Sequence, residues 1–170
     1  MKVVLPDFVS KQAQEKPVLS IALLADDTMM EKYEIHPGDE VLCLGYPLGA
    51  EANPSGFPIL RPGKISSYPL TPAKEVKHIL FSFEVFDGNS GGPVYFVDKD
   101  RYYGGTTHLG ERIQCLVGIV SGEQYKIPPS VKPTEILSDR SRYEHLRLKL
   151  AIVVPAHFIK ETLDLFDKKT

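Results

Sequence analysis

The run Phe86-Asp87-Gly88-Asn89-Ser90-Gly91-Gly92-Pro93 places a serine among glycines, between the apolar stretches Ile79–Phe83 and Val94–Val97. A serine hydroxyl is a weak nucleophile at neutral pH. It becomes effective where the backbone bends so that Oγ projects and neighbouring amide N–H groups converge on one point. Glycine permits such a bend because it accepts positive φ without a Cβ clash. The pattern therefore points to acyl transfer, with Ser90 as nucleophile and the Gly88 and Ser90 N–H groups as donors to an oxyanion. Two rival readings share these residues. Asp-Gly between strand-like runs is an ordinary hairpin signal. Gly88-Asn89-Ser90-Gly91-Gly92 also fits the G-x-S-x-G elbow of α/β-hydrolases, but that motif needs a helix after the serine. Pro93 and a β-branched, aromatic run stand there instead, so the elbow is rejected.

The elements that must position this turn read as strands. Apolar, β-branched runs predict strands over 40–46, 64–68, 78–86, 94–97, 113–121 and 148–154. Two further strands are expected at 2–5 and 18–24. His36-Pro37-Gly38-Asp39 reads as a turn, 47–62 as a loop rich in Pro and Gly, and 98–112 as a hairpin connection carrying Gly104-Gly105. Residues 122–147, with charges of both signs, read as a solvated surface loop. Pro155 suits the first turn of a helix, and Phe158, Ile159, Leu163 and Phe166 fall at helical spacing over 155–166.

Several of these stretches together resemble the trypsin-like, chymotrypsin-fold serine peptidases, most closely the bacterial HtrA-like domains. Gly88-Asn89-Ser90-Gly91-Gly92-Pro93 is similar to their nucleophile motif. Gly38–Pro47 resembles the first strand of their second barrel, Gly63–Ser67 the second strand, and Gly118–Gly122 the strand lining the primary specificity pocket. The resemblance implies an all-β fold. It would comprise remnant strands of an N-terminal barrel at 1–25, a connector at 26–38, a six-stranded antiparallel β-barrel at 39–154, and a C-terminal helix at 155–170. It also implies peptide-bond hydrolysis on peptide or protein substrates, without cofactor or metal. Glu84 would lie at the pocket floor, with Ser121, Gly122 and Glu123 as walls. Two carboxylates there would favour a basic side chain next to the scissile bond. The alternative is that Glu84 points to solvent at a strand end.

The composition agrees with one soluble globular domain, with 42% hydrophobic and 25% charged residues and a net charge of -2. That charge gives no general attraction to nucleic acid or anionic membrane. No apolar run approaches the length of a spanning helix, and no signal peptide is recognisable. Cys43 and Cys115 sit in strand-like runs and read as buried thiols.

The rest of the catalytic set is harder to find. A serine peptidase needs a general base and an acid behind it. His36, His78, His108, His145 and His157 all lack the Thr-Ala-x-His context of the family's base. Ser20 stands where the family places its triad Asp. The base would precede a strand like 2–5, so the expectation is a chain that starts after it. Two functions follow: an incomplete serine endopeptidase domain, or an inactive pseudopeptidase that binds peptides or proteins. The incomplete N-terminal strands are further expected to favour self-association.

Overall fold

The computed structural model describes residues 19–128, 130–138 and 142–167. Its centre is a curled six-stranded antiparallel sheet, a half-barrel, ordered β2-β1-β4-β7-β8-β3. The strands are β1 (Glu40–Gly45), β2 (Ile59–Lys64), β3 (Ile79–Phe81), β4 (Pro93–Lys99), β7 (Arg112–Tyr125) and β8 (Arg147–Pro155). A small hairpin, β5 (Tyr102–Tyr103) with β6 (Thr106–Thr107), turns at Gly104-Gly105. The helices are α1 (Asp27–Lys32), α2 (Ala73–Val76), α3 (Pro133–Ser138) and α4 (Ala156–Asp167). The edge strands approach one another at an antiparallel bridge between Ile65 and Phe81. There the Ser66 N–H donates to the Leu80 carbonyl at 2.7 Å and the Ser82 N–H to that of Lys64 at 2.9 Å.

Alternation decides which face is buried. Val41 and Cys43 on β1, Val94 and Phe96 on β4, and Ile113, Cys115 and Val117 on β7 all point into one core with Ile79, Phe81 and Val153. A strand places every second side chain on the same face, and Ala25, Met30, Ile35 and Leu70 from outside the sheet pack into the same core. Burial raises the Cys43 thiol pKa to about 11 and that of Cys115 to about 12, which leaves neither as a thiolate nucleophile.

The structure differs from the sequence reading at several elements. Residues 18–24 do not form a strand in their described part: Ser20 caps a 3₁₀ turn at Ile21–Leu23, its Oγ accepting the Ala22 N–H at 3.3 Å. Only Leu24 bridges to the sheet, parallel to Leu116. A serine side chain offers the backbone a local alternative to a ladder, and here that alternative prevails. The expected strand at 2–5 lies outside the described residues.

The strand expected at 64–68 runs instead over 59–64, inside the presumed Pro/Gly loop. Pro62 is paired with Leu42 on an edge strand, where a missing N–H is tolerated. At Gly63 a Cβ would lie 2.7 Å from the Phe83 ring, so the glycine serves packing. Pro155 remains in β8, paired with Gly118, and the helix begins one residue later. Phe158 and Ile159 are half-buried, whereas Leu163 and Phe166 are exposed.

Two polar clusters fasten the connector. Arg101, 8% exposed, donates to the carbonyls of Tyr33 and Glu34, each at 2.6 Å, and to the carboxylates of Asp39 and Asp98. Asp26 caps α1 by accepting the Met29 N–H at 3.0 Å and pairs with Lys160 of α4. The Lys160 hydrogen bond, then that of Met29, holds its pKa below the ordinary value. Asp26→Ala should therefore lower stability by about 1 kcal/mol at neutral pH. A depressed folded-state pKa stabilises fully above the ordinary carboxylate pKa of about 4. That contribution is lost as pH falls through the depressed value. The gap between Asp26→Asn and wild type in urea melts should accordingly close in acid, and a gap that widened there would contradict the assignment.

Candidate active site

The turn 87–92 is seated on the end of β1. The Leu48 N–H donates to the Asp87 carbonyl at 2.6 Å and the Tyr46 N–H to that of Gly88 at 3.3 Å. Gly88 has φ +94°, and a Cβ on it would lie 2.0 Å from the Tyr46 carbonyl oxygen. Gly92 is as confined, with a Cβ 2.3 Å from the Leu44 oxygen. Glycine at both positions is thus required by close backbone approach. Asn89, 2% exposed, anchors the turn from below. Its Oδ1 accepts the Phe86 N–H at 2.9 Å, and its own N–H donates to the Phe86 carbonyl at 3.0 Å. Gly91 donates to the Val120 carbonyl at 2.8 Å, which ties the turn to β7.

Ser90 is exposed on this turn. Among the described residues, neither its N–H nor that of Gly88 enters a hydrogen bond of the turn. Two backbone donors therefore remain available beside an accessible hydroxyl. Ser90 opens on a cleft of about 470 Å³ whose wall includes Ser121, Gly122 and Glu123. Ser121 is the extra residue of a β-bulge in β7, between the Val120–Val153 and Gly122–Ile152 pairs, and its Oγ donates to the Ile152 carbonyl at 3.2 Å. A bulge re-aims side chains at a sheet end, and here it sets the wall of the cleft. Four of the residues singled out from sequence thus meet in one place.

Glu84 is placed differently. It is not part of the cleft lining. Its carboxylate lies 3.7 Å from Arg147 Nη2 and 3.8 Å from Lys149 Nζ, and its carbonyl accepts from Arg61 Nη1 at 2.5 Å. Ser20 is exposed and caps its own 3₁₀ turn.

The insertion contributes what the sequence reading missed. Its charges looked uniformly solvated, yet the Arg147 side chain is only 11% exposed. Nε donates to Glu123 Oε2 at 2.6 Å, Nη1 to Glu144 Oε1 at 2.6 Å and Nη2 to the Val85 carbonyl at 2.8 Å. The Glu123 hydrogen bond, with Glu144 also contributing, raises its pKa above the already high guanidinium value. Ile136 of α3 is buried, and with Ile127 and Pro133 it walls the cleft from the insertion side. The only available signal was Pro133 ahead of Ile136-Leu137, a short apolar run inside a polar segment.

No described histidine bonds Ser90 Oγ. His78 is exposed and lines the cleft, His108 stacks on Tyr103, and His157 lies between Asp27 and Glu161. Among the described residues, no cluster of three or more His, Cys, Asp or Glu side chains could hold a metal ion, and no helix is long and apolar enough to cross a membrane. No protein family matches the chain, and no curated protein or solved structure is significantly similar to it.

Proposed function

We propose that this chain carries the nucleophile half of a trypsin-like serine endopeptidase site, acting on peptide or protein substrates. Ser90 Oγ attacks the scissile carbonyl carbon, its proton passes to a base, and the Gly88 and Ser90 N–H groups receive the oxyanion. The C–N bond then breaks and the amine leaves with that proton. The supporting observation is the exposed Ser90 on a turn with two available N–H donors, opening on a cleft walled by Ser121, Gly122 and Glu123. The Ile65–Phe81 bridge between the edge strands is in keeping with a six-stranded barrel of that fold. A second reading, a non-catalytic peptide-binding module, is favoured by one observation: no described histidine reaches Ser90 Oγ.

Without a base, an oxyanion hole and binding alone leave roughly 10³–10⁴-fold acceleration over water. The chain should therefore label slowly with a fluorophosphonate probe. Added imidazole, acting as an external base, should raise that rate, and Ser90→Ala should abolish the response. Labelling that ignores imidazole and persists in Ser90→Ala would remove the nucleophile reading and leave the binding module. Fast labelling without imidazole that is lost in His78→Ala would instead make His78 the base.

A further inference from the structure

In a trans peptide the carbonyl and the N–H point in opposite directions, so whatever holds the carbonyl also aims the N–H. The peptide bonds of the Ser90 turn are trans. The Asp87 carbonyl accepts the Leu48 N–H at 2.6 Å, which turns the Gly88 N–H away from residue 48. The Asn89 carbonyl accepts the Gly92 N–H at 2.9 Å, which fixes the Ser90 N–H in the same manner. The second tether lies inside the turn. The first comes from a separate segment, and that segment is strained. Leu48 has φ +55° and ψ +27° within a 3₁₀ turn at Pro47–Gly49. Left-handed backbone is uncommon for leucine, whose Cβ then crowds the carbonyl oxygen. Burial of the side chain does not compensate, because Leu48 is 75% exposed. What the conformation achieves is the hydrogen bond to Asp87. Strain of this kind persists only where the surroundings hold it, and it gathers at functional sites. Here the Gly49 N–H to the Tyr46 carbonyl and the Ala50 N–H to that of Pro47, each at 2.9 Å, close the turn around Leu48.

Resting on the reading of Ser90 as nucleophile, we infer that Leu48 is a positioning residue for the oxyanion site. Its backbone N–H, aimed by the left-handed turn, holds the Asp87–Gly88 peptide so that the Gly88 N–H stays available to the substrate's carbonyl oxygen. The role belongs to the backbone and not to the side chain. Residue types that accept positive φ therefore keep it, and those that refuse positive φ lose it.

The test compares variants of the whole chain at position 48 in imidazole-assisted fluorophosphonate labelling, resolved into probe affinity and limiting rate. Urea melts confirm that each variant is folded. Leu48→Gly should label within about threefold of the wild type, because glycine keeps both the N–H and the left-handed conformation. Leu48→Pro lacks the N–H and is fixed at negative φ. Its limiting rate should fall by about 10²-fold, as for loss of an oxyanion donor, with probe affinity little changed. Should Leu48→Pro fail to fold, Leu48→Val serves instead, since a β-branched residue resists positive φ, and its rate should fall by about tenfold or more. Amide NMR supplies a readout that does not depend on labelling. The Gly88 amide resonance should move clearly further in Leu48→Pro or Leu48→Val than in Leu48→Gly. Folded Leu48→Pro that labels at the wild-type rate, Leu48→Gly that loses as much as Leu48→Pro, or equal Gly88 shifts in the two would each overturn the inference. Failure of the nucleophile reading shows differently: the wild type itself would not label at Ser90 even with imidazole, and the inference would fall with it.

Discussion

Arg147→Ala is expected to destabilise the protein by about 3–5 kcal/mol, the range for removing one partner of a buried ion pair. The size follows from what the arginine leaves behind. Glu123, 7% exposed, would be left with Oε2 newly bare beside an Oε1 that already lacks a donor. The Val85 carbonyl would lose its 2.8 Å donor as well. Glu144, at 57% exposure, turns to water, and its share of the loss is small. The urea midpoint should fall by roughly 1 M or more at an ordinary m-value. Adding Glu123→Gln to Arg147→Ala should recover part of the loss, since the second change removes the stranded charge. Arg147→Lys should recover little, because an ammonium cannot reach Glu123, Glu144 and the Val85 carbonyl together. A loss below about 1 kcal/mol would mean that Glu123 exchanges freely with water and that the cleft wall is not fixed.

What the sequence could convey differs between strands and clusters. Local signals carried β1, β4 and β7, because Val41, Cys43, Val94, Phe96, Ile113 and Cys115 alternate within single runs. The turn at Ser90 was legible for the same reason, since its glycines stand next to the residue they position. β2 was displaced by five residues because Pro62 and Gly63 signal a loop locally, while their tolerance comes from the edge of the sheet and from the Phe83 ring. Ile21–Leu24 has a strand's composition, but among the described residues only Leu24 finds a bridge partner, and the Ser20 cap shapes the turn before it. The Arg147 cluster was not legible at all. Glu123 lies 24 positions away, and opposite charges at that separation are indistinguishable from a solvated surface until β7 and β8 pair Tyr125 with Arg147. The same limit applies to Glu84, whose motif position suggested a pocket floor but whose carboxylate faces Arg147 and Lys149.

Within the turn itself, Gly88→Ala should cost roughly 2–5 kcal/mol, from left-handed backbone strain combined with a forced backbone shift. Its Cβ would stand 2.0 Å from the Tyr46 oxygen and 3.1 Å from the Tyr46 carbonyl carbon. Both are backbone atoms, so no side-chain rotation relieves the clash. The turn must lift from residues 46–49, which breaks the Leu48–Asp87 and Tyr46–Gly88 hydrogen bonds. Gly91→Ala supplies the control, because Gly91 also has a positive φ, +80°, but nothing lies within 4 Å of its added Cβ. It should cost about 1–2 kcal/mol, the left-handed penalty alone. The functional consequence follows from the same displacement. On the proposed reading of the Gly88 and Ser90 N–H groups as oxyanion donors, lifting the turn carries one donor away from the other. Imidazole-assisted labelling of Ser90 should then fall by about 10²–10³-fold in folded Gly88→Ala, as expected for loss of one oxyanion donor. Folded Gly91→Ala should stay within about tenfold of the wild type, a loss of about 1.4 kcal/mol or less in activation free energy. Urea melts and labelling at a temperature where both variants are folded separate the two effects. If Gly88→Ala proved as stable as Gly91→Ala, the turn would not be seated on Tyr46. If it were unstable yet labelled at the wild-type rate, the Gly88 N–H would have no part in holding the oxyanion.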